Sequence, residues 1–168
     1  KVGRWALNLA GKANVSVLNK LQKPLAEKLV YSKIQEFFGG KLQALVCGGA
    51  PLDAELCRFY LDVGIPVYQG YGLTEASPVI STNYLKQNKP GTVGLPFPGV
   101  EVKISNETEI LVRGPNVMKG YLGDVESDLF IDSEGWLHTG DKGSIDSEGY
   151  PIIHGRLRDI YKTSLGKF

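Results

Sequence analysis

The sequence predicts an α/β portion followed by a small antiparallel β unit. Three observations predict it. Residues 42 to 75 read as strand, helix, strand, with glycine-rich turns at both strand ends. After about residue 84 the apolar runs shorten, and Gly, Pro and Asx clusters separate them. Apolar content of 42% and charge of 22% match a packed globular chain and argue against disorder.

The elements follow in order. Residues 1 to 13 carry weak turn signals and are compatible with a helix. Pro24 near its start opens a stronger helix over about 24 to 38. Val30, Ile34, Phe37 and Phe38 fall on one face of it, with Lys28, Ser32, Gln35 and Glu36 opposite. Gly39-Gly40 ends it. Leu42 to Cys47 is a short, mostly apolar run that suits a buried parallel strand. Pro51 and Asp53 then start a helix to about Val63, expected to bury Leu52, Leu56, Phe59 and Tyr60. Ile65 to Tyr68 is the next strand.

Beyond a linker at Gln87 to Gly91, short strands are expected at Val100 to Ile104, Glu109 to Arg113, Gly135 to His138, Gly143 to Asp146 and Tyr150 to His154. Ile131-Asp132-Ser133-Glu134-Gly135-Trp136 recurs as Ile145-Asp146-Ser147-Glu148-Gly149-Tyr150. This predicts two similar turns, each with a left-handed glycine before an aromatic strand start.

Charge is unevenly spread. The net charge is +1, so the total points to no nucleic-acid partner. Residues 1 to 41 carry eight Lys/Arg against two Glu, a local +6 that leaves −5 for the rest. A basic face of this kind suits anionic lipid, phosphates or an acidic protein, and it equally suits a solvated helix surface. Cys47 and Cys57 stand ten apart with no C-x-x-C, which fits free thiols in a reducing compartment. The apolar runs fall far short of a membrane span, and no signal peptide is visible. With no initiator Met, the chain is expected to be a piece of something larger.

Both strand ends of the α/β portion carry candidate site loops, where ligands bind in open α/β sheets. The richer one is Tyr68-Gln69-Gly70-Tyr71-Gly72-Leu73-Thr74-Glu75. Glycines there permit positive φ and close approach to a ligand. Tyr71 can offer a flat face to a planar base. Thr74 can donate to a phosphate oxygen, and Glu75 can hold a hard cation such as Mg²⁺. Read structurally, the same octet is a strand ending in a glycine turn with Thr74 capping a helix. The other loop, Gly48-Gly49-Ala50-Pro51-Leu52, opens a helix whose N-terminal amides can donate to a ligand, or is simply a tight turn. In Trp136-Leu137-His138-Thr139-Gly140-Asp141, the Asp141 carboxylate can accept from two vicinal ribose hydroxyls, or is a turn aspartate. His138 is read as a structural strand histidine.

Tyr68 to Glu75 resembles the Y-G-x-T-E signature of the adenylate-forming superfamily, which includes acyl-CoA synthetases, luciferases and peptide-synthetase adenylation domains. Gly48 to Leu52 is similar to its G-G-A-P-L turn, and Thr139-Gly140-Asp141 to its T-G-D motif. Gly155-Arg156-Leu157-Arg158-Asp159-Ile160-Tyr161-Lys162 resembles its G-R-x-K/D-D-x-x-K segment. Arg158 departs from the usual Lys or Asp, and Leu165 stands where the first glycine of T-S-G-G-K is usual. Gly91 to Pro96 and Glu109 to Tyr121 also match and are assigned structural roles. The run from Gln69 to Ser81 looks like the long-chain fatty acyl-CoA or acyl-carrier-protein synthetases.

The resemblance implies the large N-terminal domain of an adenylate-forming enzyme, a sheet-and-helix subdomain plus a distorted β-barrel subdomain. Residues 1–84 would be the partial α/β subdomain, 85–155 the β-barrel-like one, and 156–168 the hinge and the start of a further domain. It implies nucleotide binding by Gly48, Gly49, Ala50, Gln69, Gly70, Tyr71, Gly72, Thr74, Asp141 and Arg156. Gly49, Ala50 and Gly72 would line the acyl pocket. Thr74, Glu75 and Lys162 would be catalytic, Glu75 holding Mg²⁺, with Arg158 at the hinge. ATP and coenzyme A would be used, with a fatty acid as substrate.

The activity implied is ATP-dependent long-chain fatty acid–CoA ligation through an acyl-adenylate, in the cytoplasm. Acyl carrier protein is an alternative acceptor, a non-catalytic adenylate-binding module is an alternative function, and peripheral membrane contact is left open. The family's phosphate loop and its C-terminal lysine-bearing domain are expected outside these 168 residues, so this portion alone should be inactive.

Overall fold

The computed structural model describes residues 1–10, 17–122 and 130–157. It divides into two compact units, residues 1–70 with 83–91, and residues 71–82 with 92 onward. The expected class holds: helices and a parallel strand pair come first, and an antiparallel sheet follows.

In the first unit, helix α1 (Val2–Leu7) precedes α2 (Val17–Ala26). Pro24 lies inside α2 rather than at a helix start, so the helix begins earlier than the sequence suggested. Proline contributes no amide donor there. The chain then runs through a π-helical turn, Glu27–Tyr31, into α3 (Ser32–Phe37). A π turn inserts a residue into the helical repeat. That rotates the following positions by about one residue's step of the 3.6-residue period, and it breaks the predicted apolar face. Val30 and Ile34 pack against the core, but Phe37 is 85% exposed and Phe38 is also exposed.

Tyr31 is fully buried, and its hydroxyl donates to Ala6 O at 2.7 Å. Trp5 Nε1 donates to Gln22 Oε1, tying α1 to α2. Ala6, Ala26, Cys57, Val63, Ile65 and Val67 complete this core.

Strand β1 (Leu45–Cys47) pairs in parallel with β2 (Val67–Gly72), with Leu45 opposite Val67 and Cys47 opposite Gln69. Helix α4 (Ala54–Asp62) connects them. Asp53 caps it, one carboxylate oxygen accepting from the amides of Glu55 and Leu56 at 2.9 Å each. The buried residue of α4 is Cys57, while Leu56 is exposed and Phe59 and Tyr60 are half-buried. Cys57 Sγ faces Val67 O at 3.8 Å, so the side of α4 that meets β2 is offset from the predicted one. The segment predicted as a linker is held in this unit, where Asn88 Nδ2 donates to Val67 O; ahead of it, Asn83 Nδ2 donates to Gln69 O. Both cysteines are free thiols, Cys57 buried and Cys47 half-buried.

The second unit holds β3 (Val79–Thr82) paired antiparallel with β4 (Leu95–Pro96). It also holds a four-stranded antiparallel sheet of β5 (Glu101–Ile104), β6 (Glu109–Arg113), β7 (Leu137–Ile145) and β8 (Pro151–Arg156), in that order. The two runs predicted at 135–138 and 143–146 are therefore one long strand, β7. Along it Leu137, Thr139, Asp141 and Gly143 are buried and alternate with half-buried residues. Ala76, Ile80, Ile110, Val112 and Leu137 form the core of this unit.

The two repeated turns have the same bonding. Asp132 Oδ1 accepts from the amides of Glu134 and Trp136, and Asp146 Oδ1 from those of Glu148 and Tyr150. Gly135 (φ 81°) and Gly149 (φ 87°) take the left-handed position in each. Trp136 follows the first turn, buried, with Lys103 Nζ 4.0 Å and Arg113 Cζ 4.4 Å from its ring centre. Among the described residues, no helix is long and apolar enough to cross a membrane.

Because Asp53 satisfies two amides at the start of α4, Asp53→Ala should lower unfolding stability by about 1 kcal/mol. A urea titration followed by circular dichroism reads this directly.

Candidate active site

The predicted octet is the end of β2 and the 3₁₀ turn Thr74–Ala76 that follows. Gly70 and Gly72 do not adopt positive φ, contrary to the reason first given for them. Gly72 is required by proximity instead. A Cβ there would lie 1.8 Å from Pro78 O and 2.9 Å from Val79 Cα. The chain folds back on itself at this point, and only a residue without a side chain lets it. Ser77 closes the turn in the left-handed region (φ 54°), a conformation that costs a non-glycine residue energy. Leu73, rather than Thr74, occupies the cap position, so Thr74 is not the helix cap of the structural reading and remains exposed.

Tyr71 does more than offer a ring face. Its hydroxyl donates to Asp141 Oδ2 at 2.6 Å. Asp141 is only 8% exposed, and Arg156 Nε lies 3.0 Å from its other oxygen, Oδ1. Arg156 Nη1 also donates to Thr139 O at 3.2 Å. A buried carboxylate needs such donors, because burial without them is costly. Burial pushes the Tyr71 phenol far above its ordinary value, and the hydrogen bond to Asp141 adds to this.

Asp141 reaches this position through irregular pairing. On the β6 side, Glu109 is opposite Lys142 while Leu111 is opposite His138, so two steps on β6 span four on β7. On the β8 side, the register shifts again between Lys142 and Gly143. Gly140, in the excess, has φ 69° and donates its amide to Glu109 Oε1 at 2.9 Å. Thr139 Oγ1 donates to Ile110 O and accepts from the Asp141 amide. His138 Nδ1 lies 2.8 Å from Glu109 Oε2, the structural setting expected for it.

Glu75 accepts from the Tyr121 hydroxyl at 2.5 Å. That bond, with Glu75's own backbone amide and the nearby Arg156 charge, holds its carboxyl below the ordinary range. Met118 N donates to Glu75 O at 2.8 Å, and Asn116 Nδ2 donates to Ala76 O and Val79 O at 3.1 Å each. Among the described residues, no three His, Cys, Asp or Glu side chains gather as a metal cage. A lone carboxylate fits Mg²⁺, which takes one or two carboxylates when phosphate oxygens and water supply its other ligands.

The second unit therefore brings Tyr71, Asp141 and Arg156 into one bonded group, with Glu75 on the turn that follows Tyr71. Gly48, Gly49, Ala50, Gln69 and Gly70 belong to the first unit. There a Cβ on Gly48 would meet Gly70 O at 3.7 Å, an ordinary contact, while Gly49 takes φ 80°. Gly48, Gly49 and Ala50 are exposed and Gln69 is buried. At the start of α4 the amides of Glu55 and Leu56 are already taken by Asp53. Arg158 and Lys162 lie outside the described residues.

Sequence reasoning missed the site contacts of Glu109, Asn116 and Tyr121, all inside the stretch assigned structural roles. Their signal was present only as a match to the family pattern, because each contact spans 29 or more positions in the chain.

Comparison with known proteins gives three kinds of match. The family model described as AMP-binding enzyme matches residues 13–122. A long-chain fatty-acid–CoA ligase of Mycobacterium bovis is 38% identical over 151 residues, covering 90% of this chain and 25% of that protein. A long-chain fatty-acid–CoA ligase of Cavia porcellus is 34% identical over 183 residues, covering 99% of this chain and 26% of that protein. The chain thus spans about a quarter of the length of these curated relatives. Among solved structures, ATP-bound MatB of Rhodopseudomonas palustris is 30% identical with a TM-score of 0.67, covering 83% of this chain and 31% of that one. E. coli MenE with a bound analogue of OSB-AMS is 33% identical with a TM-score of 0.58, covering 77% and 29%.

The Tyr71 phenol carries a pH prediction. Its folded pKa lies above the ordinary 10.0, so the native state holds this proton more tightly than the unfolded chain. Stability from this group is complete below pH 10.0 and is lost as pH rises beyond it. Tyr31 and Tyr121 are shifted the same way and share the effect. Urea midpoints at about pH 8 and about pH 11 should fall with pH in the wild type, and Tyr71→Phe should remove part of that fall.

Proposed function

The chain belongs to the AMP-binding enzyme family, and from that premise we propose that it is part of an ATP-dependent long-chain fatty acid–CoA ligase. The observation that carries the reading is the buried Asp141 carboxylate, held between Tyr71 and Arg156 beside the turn that bears Glu75. The names of the relatives, fatty-acid–CoA ligases, support the substrate class.

In this reading Asp141 accepts from the ribose hydroxyls of ATP, and Arg156 assists while offsetting the carboxylate charge. Tyr71 offers its ring to the adenine and its hydroxyl to Asp141. Gly48, Gly49, Ala50, Gln69, Gly70 and Gly72 let nucleotide and acyl chain lie close to backbone, with Gly49, Ala50 and Gly72 toward the acyl chain. Thr74 donates to a phosphate oxygen. Glu75 would hold Mg²⁺, which when bound supplies positive charge to the phosphates. Lys162 stands for the cation near the reacting groups, and Arg158 for the hinge.

The chemistry has two steps. A fatty carboxylate oxygen attacks the α-phosphorus of ATP, the bond to pyrophosphate breaks, and an acyl-adenylate forms. The sulfur of coenzyme A then attacks the acyl carbon, the bond to AMP breaks, and the thiol proton leaves to solvent. Donors fixed before the reaction stabilise charge as it develops. The +6 charge of residues 1–41 favours, as a second acceptor, an acidic carrier protein. Free thiols at Cys47 and Cys57 fit a reducing, cytoplasmic setting.

The test is pyrophosphate exchange into ATP by the full-length protein across a fatty-acid panel. Exchange should require a long-chain acid and should fall at least about 100-fold in Glu75→Gln, the scale of losing one charge-stabilising group. A folded protein with no exchange on any acid would leave a nucleotide-binding module without catalysis. The 168-residue chain by itself should show no steady-state ligation, and measurable turnover from it would overturn that expectation.

A further inference from the structure

Asp141 is aimed by a distortion of β7, and something must hold that distortion. β7 lies between β6 and β8, so regular antiparallel pairing would spend the Gly140 amide on one of those two ladders. Here the pairing skips, since Glu109 faces Lys142 and Leu111 faces His138. The Gly140 amide is left without a ladder partner at this point, and the Glu109 side chain supplies one at 2.9 Å. Glu109 is itself largely buried, its side chain 13% exposed. Its second oxygen engages His138 Nδ1 at 2.8 Å. One carboxylate thus grips β7 on both sides of Thr139, immediately before Asp141.

The geometry leaves Asp141 little freedom. Its amide is tied to Thr139 Oγ1, and Thr139 Oγ1 to Ile110 O. The residue before it is a glycine at φ 69°, a conformation that other residues enter only with strain. Without an acceptor for the Gly140 amide, this left-handed turn loses one of the bonds that favour it over a regular strand. Regular pairing would take up the two extra residues and slide Asp141 along β7 by about 7 Å on the same face, away from its bond to Tyr71. Bulges that re-aim a single side chain are a known use of such irregularity.

We propose that Glu109 is a positioning residue for nucleotide binding, setting the Asp141 carboxylate for the ribose through the Gly140 amide. The proposal rests on the ribose assignment of Asp141 made above. Glu109 touches no substrate in this scheme and acts only through β7.

The test compares binding of ATP and of its 2′-deoxy and 3′-deoxy analogues to the full-length protein by calorimetry. A ribose hydroxyl that donates to a carboxylate should make wild type prefer ATP by about 10-fold or more over at least one analogue. In Glu109→Ala, ATP should bind about 10-fold more weakly while that analogue changes little, so the preference falls to about 3-fold or less. Glu109→Gln keeps an oxygen for the Gly140 amide and should retain most of the preference.

A folded Glu109→Ala that weakens ATP and analogue equally, preference intact, would overturn the proposal and leave Glu109 a sheet staple. Should Glu109→Ala not fold, Glu109→Asp keeps the charge and shortens the reach by one methylene. Its preference must then fall, or the proposal fails. A wild type that binds ATP and both analogues alike would overturn the ribose assignment itself, and the role of Glu109 with it.

Discussion

Taking a carboxylate out of water is expensive, and the second unit is arranged to meet that cost at Asp141. Two donors converge on it, a phenol from the end of β2 and a guanidinium from the end of β8. Removing either partner would leave a buried charged group short of a bond, a loss of about 1 to 3 kcal/mol. The two donors differ in kind. Tyr71 is half-buried, whereas the Arg156 side chain is 62% exposed. An exposed guanidinium exchanges partners readily, because water competes for it. The phenol is therefore the fixed element of the pair and the guanidinium the adjustable one. A ligand hydroxyl that enters needs only a lone pair of Asp141, and two carboxylate oxygens offer about four.

The stretch from Glu109 to Tyr121 supports this arrangement at three separate points. Glu109 secures the turn before Asp141, Asn116 braces the backbone at Ala76 and Val79, and Tyr121 bonds Glu75. None of these is a local contact. The stretch begins with β6, which pairs with both β5 and β7. Glu109 therefore stands on an interior strand of the sheet, and Asn116 and Tyr121 follow it in the chain beyond the end of β6. Side chains held on a rigid element are placed more accurately than those held on loops, and the turn before Asp141 borrows its order from β6 through Glu109.

Much of the fold could be read from the residues. Glu109–Arg113 forms the strand predicted for it, and the duplicated Asp-Ser-Glu-Gly turns have matching bonds. Their signals are local: alternation, and an Asx side chain two to four residues from its donors. The exposed Phe37 was misread because a π turn changes the period, and nothing in the local sequence announces one; Pro24 was read as a helix start, whereas α2 already runs from Val17. Cys57 rather than Leu56 faces inward on α4 because the strand it meets, and not propensity, decides the buried side. At the candidate site, the resemblance pointed to Asp141 and Arg156, and the fold brings the two into contact. The Tyr71–Asp141 bond was not, since it joins residues 70 apart through a register skip that only the folded sheet defines.

The chain holds two tryptophans, and the fold places one in each unit. Trp5 sits against the core of the first, bonded to Gln22. Trp136 is buried in the second, with Lys103 and Arg113 close over its ring. Indole emission responds to solvent exposure and to adjacent charge, so the two signals differ in origin. Replacing one tryptophan leaves a spectroscopic reporter confined to the other unit. The order in which the units melt, and which of them tightens when a nucleotide is added, can then be followed without any extrinsic label.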